Sequence, residues 1–220
     1  MSNPIETLRE RGLLQDHTDE ASLVEHLATG RRTFYVGFDP TAPSLHVGNL
    51  AGLMVMAWLQ RAGHRPIALA GGATGRIGDP SFRDEERALM SDEEVERNLE
   101  GIRRDFGRGL DMSDAILVDN YEWTKDVTVL EFLREIGKHF SVNQLISREA
   151  IRRRMEDREQ GISYTEFSYT LLQAFDYDYL YRTYGCTLQG GGSDQWGNIL
   201  SGVDLIRRRH GAQVHAITWP

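Results

Sequence analysis

A single cysteine, Cys186, stands in 220 residues, which excludes an intrachain disulfide framework and any Cys-x-x-Cys metal site. No apolar run approaches the ~18 residues of a membrane span, and the N-terminus carries no signal-peptide core. A cytoplasmic protein without a membrane partner is the expectation. Internal repeats and low-complexity tracts are also missing. The seven histidines show no metal-ligand spacing, so no protein-bound metal is expected, and His17, His26, His64, His139, His210 and His215 read as surface or structural. The net charge of −8 excludes a molecule that holds nucleic acid by bulk charge alone.

What is present is enough to fill a core. Forty per cent of the residues are apolar, which suits one large α/β domain or one domain with an insertion. Strands are predicted at 34–38, 65–70, 115–119, 186–189 and 213–218, with helices at 3–13, 20–29, 48–62, 91–107, 127–139, 147–158 and 164–184. The helix from Gly48 opens an apolar run of Leu50, Leu53, Met54, Ala57 and Trp58, with Ser44 placed to cap it. Val129, Phe132, Leu133 and Ile136 read as the inward side of the helix at 127–139.

The chemistry gathers at four places. Phe34 to Asn49 is a strand feeding a helix through a turn marked by Pro40 and Pro43, which places backbone N–H groups and a positive dipole end where an anion is easily held. His46 adds a donor in that first turn, and Asn49 follows three residues later. Gly71 to Ser81 holds four glycines in eight residues and closes on Asp79-Pro80; glycines allow close backbone approach to a bound group. At 164–184, Tyr169, Gln173 and Asp176 share one helix face, a polar stripe suited to both ends of a small zwitterion bearing a hydroxyl if it faces a pocket. Finally Gly190 to Asn198 reads as a bare glycine backbone at a strand end, with Ser193 or Asp194 as cap and Asp194 suited to a ribose diol. Arginine crowds Arg148, Arg152, Arg153, Arg154 and Arg158, and again Arg207, Arg208 and Arg209; such local patches serve RNA or are solvated helix faces.

In this order, Phe-Asp-Pro-Thr-Ala before His-Val-Gly-Asn, Gly-Gly-Ala-Thr-Gly-Arg-Ile-Gly-Asp-Pro-Ser, Tyr-Thr-Leu-Leu-Gln-Ala-Phe-Asp and Gly-Gly-Ser-Asp-Gln-Trp-Gly-Asn closely resemble the catalytic domain of bacterial tyrosyl-tRNA synthetases of class I. The resemblance covers essentially the whole chain. It implies a Rossmann-like (HUP-type) parallel sheet flanked by helices, with an inserted helical subdomain. The implied layout is an N-terminal helical arm at 1–32 and a first Rossmann half at 33–119. A helical insertion at 120–184 would carry the tyrosine-pocket helix and a homodimer surface, before a second Rossmann half at 185–220.

The same resemblance assigns roles. Tyr35 and Asp176 would read the substrate phenol, Asp79, Tyr169 and Gln173 its ammonium, and Gln195 its carboxylate, with Asp39 beside the amine and adenylate. ATP contacts would come from Gly37, Asp39, Thr41, His46, Gly48, Asn49, Gly192 and Asp194, and from Arg83 and Arg87 near the pyrophosphate. Thr41, His46 and Asn49 would be the catalytic set, and Arg148, Arg152, Arg153, Arg207 and Arg208 the candidates for touching tRNA(Tyr). The implied substrates are L-tyrosine, ATP with Mg²⁺ held by its phosphates, and tRNA(Tyr).

Two positions depart from the pattern: Asn49 stands where a second histidine is common, and Val36 where some relatives place a polar ribose contact. A Lys-rich ATP loop and anticodon-binding domains are expected beyond Pro220, so weak activation is expected of this chain. Three other readings stay open: another nucleotidyl-transferring enzyme, a non-catalytic RNA-binding relative using the Arg148–Arg158 segment, and a plain dimerisation fragment.

Overall fold

The computed structural model describes residues 3–79, 90–146, 151–152 and 162–220. Helices α1 (Pro4–Glu10) and α2 (Glu20–Ala28) precede β1 (Thr33–Phe38), α3 (Val47–Arg61) and β2 (Arg65–Ala70). The chain continues through α4 (Thr74–Ile77), α5 (Asp92–Phe106), β3 (Ile116–Asp119), α6 (Tyr121–Thr124), α7 (Val129–Glu135) and α8 (Val142–Ile146). The long α9 (Tyr164–Tyr184), β4 (Cys186–Gly192), α10 (Trp196–His210) and β5 (His215–Trp219) complete it. The basic stretch predicted as a helix at 147–158 lies outside the described residues except for Ile151 and Arg152, which are helical.

The five strands form one sheet in the order β3-β2-β1-β4-β5, and every pair is parallel. This is the Rossmann-like sheet the motifs implied. β1 sits centrally because both its faces are apolar: Phe34, Val36 and Phe38 join the core under α1, α2, α3 and α5, while Tyr35 joins the opposite core with Tyr177, Leu180, Leu205 and Ile206 of α9 and α10. The chain leaves β1 toward β2 on one side and returns to its other side at β4, so the connections diverge between β1 and β4. A crevice opens at the carboxyl ends of these two strands.

Local chemistry sets the ends of the elements. Asp19 caps α2 and Ser163 caps α9 through a reciprocal capping box with Glu166. Gly185 and Gly211 end α9 and α10 at φ values of 61° and 63°, a left-handed conformation that favours glycine.

One expectation about a buried face, that of the helix at 127–139, is corrected, and α3 buries only part of its apolar run. In α3 the fully packed side chains are Val55, Met56 and Leu59, while Leu50 and Met54 are exposed. An apolar run by itself does not say which edge of a helix meets the sheet. The helix predicted at 127–139 stops at Glu135 and continues as a 3₁₀ turn over Gly137–His139, with Val129 and Leu133 exposed. Only its inner edge meets the core, where Phe132 packs edge-on against Phe175.

Candidate active site

The crevice is a cleft of about 340 Å³, and it gathers all four sequence motifs. Its lining includes Tyr35, Gly37, Asp39, Thr41, His46, Gly48, Asn49, Asp79, Tyr169, Gln173, Asp176, Gly192, Asp194 and Gln195. Every residue expected to touch tyrosine or ATP is therefore on one wall or another, except Arg83 and Arg87, which lie outside the described residues. Arg148 and Arg153 lie outside them too, as do Arg154 and Arg158.

The deep end is built from α9. Its polar stripe faces the cleft rather than solvent, with Tyr169 and Asp176 buried. Asp176 accepts hydrogen bonds from Asn120 Nδ2 and Trp123 Nε1, both at 2.9 Å. Burial pushes its carboxyl up to about 7, against the pull of those two donors. Among the described residues, the buried Tyr35 hydroxyl finds no partner, and neither does Gln173 Oε1. Buried polar atoms normally find partners, so such orphans in a cleft wall mark where a ligand's polar groups would go.

The mouth is built from α3. His46 is its N-cap: the imidazole Nδ1 accepts from Gly48 N at 3.1 Å, while Asn49 Oδ1 accepts from His46 N at 3.0 Å. The predicted cap at Ser44 is thus replaced by a box made of two of the three candidate catalytic side chains, His46 and Asn49. Because Nδ1 accepts, the ring proton of neutral His46 sits on Nε2. The preceding turn is fixed from outside: Asn98 of α5 donates to Pro40 O at 2.9 Å, and Leu45 N donates to Asp105. A Cβ on Gly101 would overlap Pro43 O, so glycine lets α5 press directly on this turn.

The glycine-rich loop works differently from its predicted role. A Cβ on Gly71 would overlap the Asp39 carboxylate, and one on Gly72 the Asp119 carboxylate. These glycines make room for the protein's own acids. The triple glycine belongs to β4 itself and lines the cleft, and a Cβ at Gly190 would press on Trp219 and one at Gly191 on Ile199. Beyond β4, Gln195 donates to Asp79 at 2.5 Å and to Asp194 at 2.8 Å, so the candidate ribose and ammonium carboxylates share one amide.

The C-terminal arginines scatter. Arg207 pairs with Asp204, Arg208 reaches His139 O and Gln144, and Arg209 turns inward with Arg182 and His210 onto the fully buried Asp178. None of them lines the cleft.

Residues 27–220 match the family described as tRNA synthetases class I (W and Y). The chain belongs to this synthetase family. Among curated relatives, a tyrosine–tRNA ligase of Pseudomonas aeruginosa is 54% identical over 216 residues, which is 98% of this chain and 52% of that protein. One of Escherichia fergusonii is 52% identical over 223 residues, spanning 100% of this chain and 53% of that protein. The chain thus spans about half the length of the curated relatives it matches. A solved structure of a C-terminally truncated Aspergillus nidulans mitochondrial tyrosyl-tRNA synthetase is 31% identical with a TM-score of 0.88, covering 100% of this chain and 69% of that one. An Archaeoglobus fulgidus tyrosyl-tRNA synthetase solved with L-tyrosine shares the fold at a TM-score of 0.75 and 21% identity, over 97% of this chain and 63% of that one.

Against this synthetase background, Thr74, Gln189 and Trp219 in the cleft lining, and Asn120 and Trp123 behind Asp176, escaped the sequence reading as site residues. Gln189 is buried on β4 with an unpartnered Oε1, and Trp219 closes the wall beside Gly52 and Gly190. Asn120 and Trp123 follow directly on β3, a carboxyl strand end where open α/β sheets place ligands, and that position was the available signal.

Proposed function

We propose that the chain carries the amino-acid activation site of a tyrosine–tRNA ligase: L-tyrosine and ATP give tyrosyl-adenylate and pyrophosphate, and the tyrosyl group then passes to tRNA(Tyr). The observation that carries this is the pairing, at the closed end of the cleft, of the unpartnered Tyr35 hydroxyl with the buried Asp176 carboxylate, with the start of α3 at the open end. A phenol entering that end donates to Asp176 and accepts from Tyr35. Phenylalanine leaves the Tyr35 hydroxyl buried without a partner and offers Asp176 no donor beyond Asn120 and Trp123, and a site built to bond a hydroxyl rejects the analogue that lacks it.

Tyr169, Gln173 and Asp79 then hold the ammonium, and Gln195 lies by the carboxylate. That carboxylate is already ionised, so it attacks the α-phosphate in line without a general base; catalysis is positioning plus stabilisation of charge on the departing pyrophosphate. His46 Nε2–H, Thr41 and the N–H groups at the start of α3 serve that charge, with Asn49 holding the His46 backbone. Gly37, Gly48, Gly192 and Asp194 flank the nucleotide. Mg²⁺ arrives with the ATP phosphates, as is usual for this hard, strongly hydrated ion.

In the domain layout, 1–32 is an arm, 33–119 and 185–220 are the two sheet halves, and 120–184 is the insertion. The exposed Val129, Leu130, Leu133 and Val142 on that insertion support a homodimer face, and Arg152, Arg207 and Arg208 remain the described candidates for the tRNA backbone. A cytoplasmic setting accords with the buried, reduced thiol of Cys186. Calorimetric titration of the 220-residue chain with L-tyrosine, and with L-phenylalanine as control, tests the reading. Tyrosine is expected to bind at least about a hundredfold more tightly. Equal affinities would overturn the assignment.

A further inference from the structure

The carboxylates at the two ends of the cleft are joined by a continuous hydrogen-bond relay through Asn120 and Thr74, and the donor of every bond in it is determined. Ala73 N donates to Asn120 Oδ1 at 2.7 Å, and a backbone N–H can only donate, so the amide orientation of Asn120 is fixed. Both hydrogens of its Nδ2 are then used outward, toward Asp176 Oδ2 at 2.9 Å and toward Thr74 Oγ1 at 3.1 Å. The Thr74 oxygen therefore accepts, which leaves its own hydrogen for Asp39 Oδ1 at 2.8 Å. The other Asp39 oxygen accepts from Tyr169 at 3.0 Å. Thr74 is 4% exposed and Asn120 fully buried, so these bonds are shielded from most solvent. Gly71 completes the arrangement, because a Cβ there would overlap both Asp39 Oδ1 and Thr74 Oγ1.

We propose that Thr74 is a positioning residue for amino-acid binding, its hydroxyl tying the Asp39 carboxylate at the activation end to Asn120 and hence to the phenol-reading Asp176. The inference rests on the tyrosine-site reading above. It differs from it in assigning a role to a side chain that is an accessory of both ends. Losing the hydroxyl removes one donor from Asp39 and one acceptor from Asn120, so both ends loosen together. A threonine that merely fills space would affect neither.

The test is calorimetric titration of the full chain and of Thr74→Val, Thr74→Ser and Gly71→Ala, each with L-tyrosine, L-phenylalanine and 3-(4-hydroxyphenyl)propionate, which keeps the phenol and lacks the ammonium. Melting temperatures are recorded alongside. Thr74→Val is nearly isosteric and is expected to weaken L-tyrosine about tenfold, with a smaller loss for the hydroxyphenylpropionate and a reduced tyrosine-to-phenylalanine ratio. Thr74→Ser restores the hydroxyl and is expected to stay within about twofold of the parent. Gly71→Ala keeps the hydroxyl but wedges the same bond, and is expected to reproduce the valine pattern. Unchanged affinity and ratio in Thr74→Val, with the parent binding tyrosine normally, would overturn the inference alone. Loss of affinity in Thr74→Ser equal to that in Thr74→Val would overturn it too, by showing that packing and not the hydroxyl matters. A parent chain that does not bind tyrosine would instead take down the site reading, and this inference with it.

Discussion

The two ends of the cleft are made by opposite means. At the deep end Asp176 is buried and held by side chains from α6 and the residue before it, elements more than fifty positions away in sequence. At the mouth His46 is exposed, and its imidazole accepts from the backbone of its own helix start, two residues on. Long-range, desolvated bonds give a rigid reader of one chemical group. Local, solvated ones give a donor whose strength is felt only when a ligand excludes water around it. In the proposed function, selectivity belongs to the first construction and rate to the second.

The largest way to break this contrast is Asp176→Ala. It removes the phenol acceptor and strands the Asn120 and Trp123 donors, so tyrosine affinity is expected to fall by at least about a hundredfold in calorimetry. Retained affinity would mean that the deep end does not read the phenol. A titration in pH sharpens the same point. With its carboxyl pushed up to about 7 by burial, Asp176 is mostly neutral at pH 6 and mostly ionised at pH 8. The ionised form is the stronger acceptor, so L-tyrosine affinity is expected to rise about tenfold from pH 6 to pH 8 while that of phenylalanine stays flat. The smallest effect belongs to the mouth. His46→Ala is expected to leave tyrosine affinity within about twofold and, by removing a helix cap worth about 1 kcal/mol, to lower Tm by about 2–4 °C. A large loss of tyrosine affinity in His46→Ala would erase the distinction between the ends.

The sheet and most of the cleft were readable because strand, turn and helix start follow one another in short sequence, as from Phe34 to Asn49. The face of α9 was readable as a stripe, though only the fold decides that it points inward. What stayed hidden was whatever depends on the meeting of distant segments. Asn120 and Trp123 carry no local pattern that names Asp176 as partner. The choice of His46 over Ser44 as cap depended on how α5 pins the turn at Pro40 and Leu45. The glycines of 71–75 were legible as close-approach positions, but their neighbours are the protein's own Asp39, Asp119 and Pro40. Which face of α3 is buried was not legible because its apolar residues go round the helix and only packing selects one edge.

The central strand has a consequence for synthesis. β1 pairs with β2 about thirty residues downstream but with β4 only about one hundred and fifty residues later. A nascent chain emerging from the ribosome therefore completes β3-β2-β1 while the far edge of β1, flanked by Phe34, Tyr35 and Val36, has no neighbour. Such an open apolar edge is a template for pairing with another chain, and late closure of long-range strands slows folding. The same strand that brings the two halves of the cleft together is the point at which an unfinished chain is most exposed to aggregation.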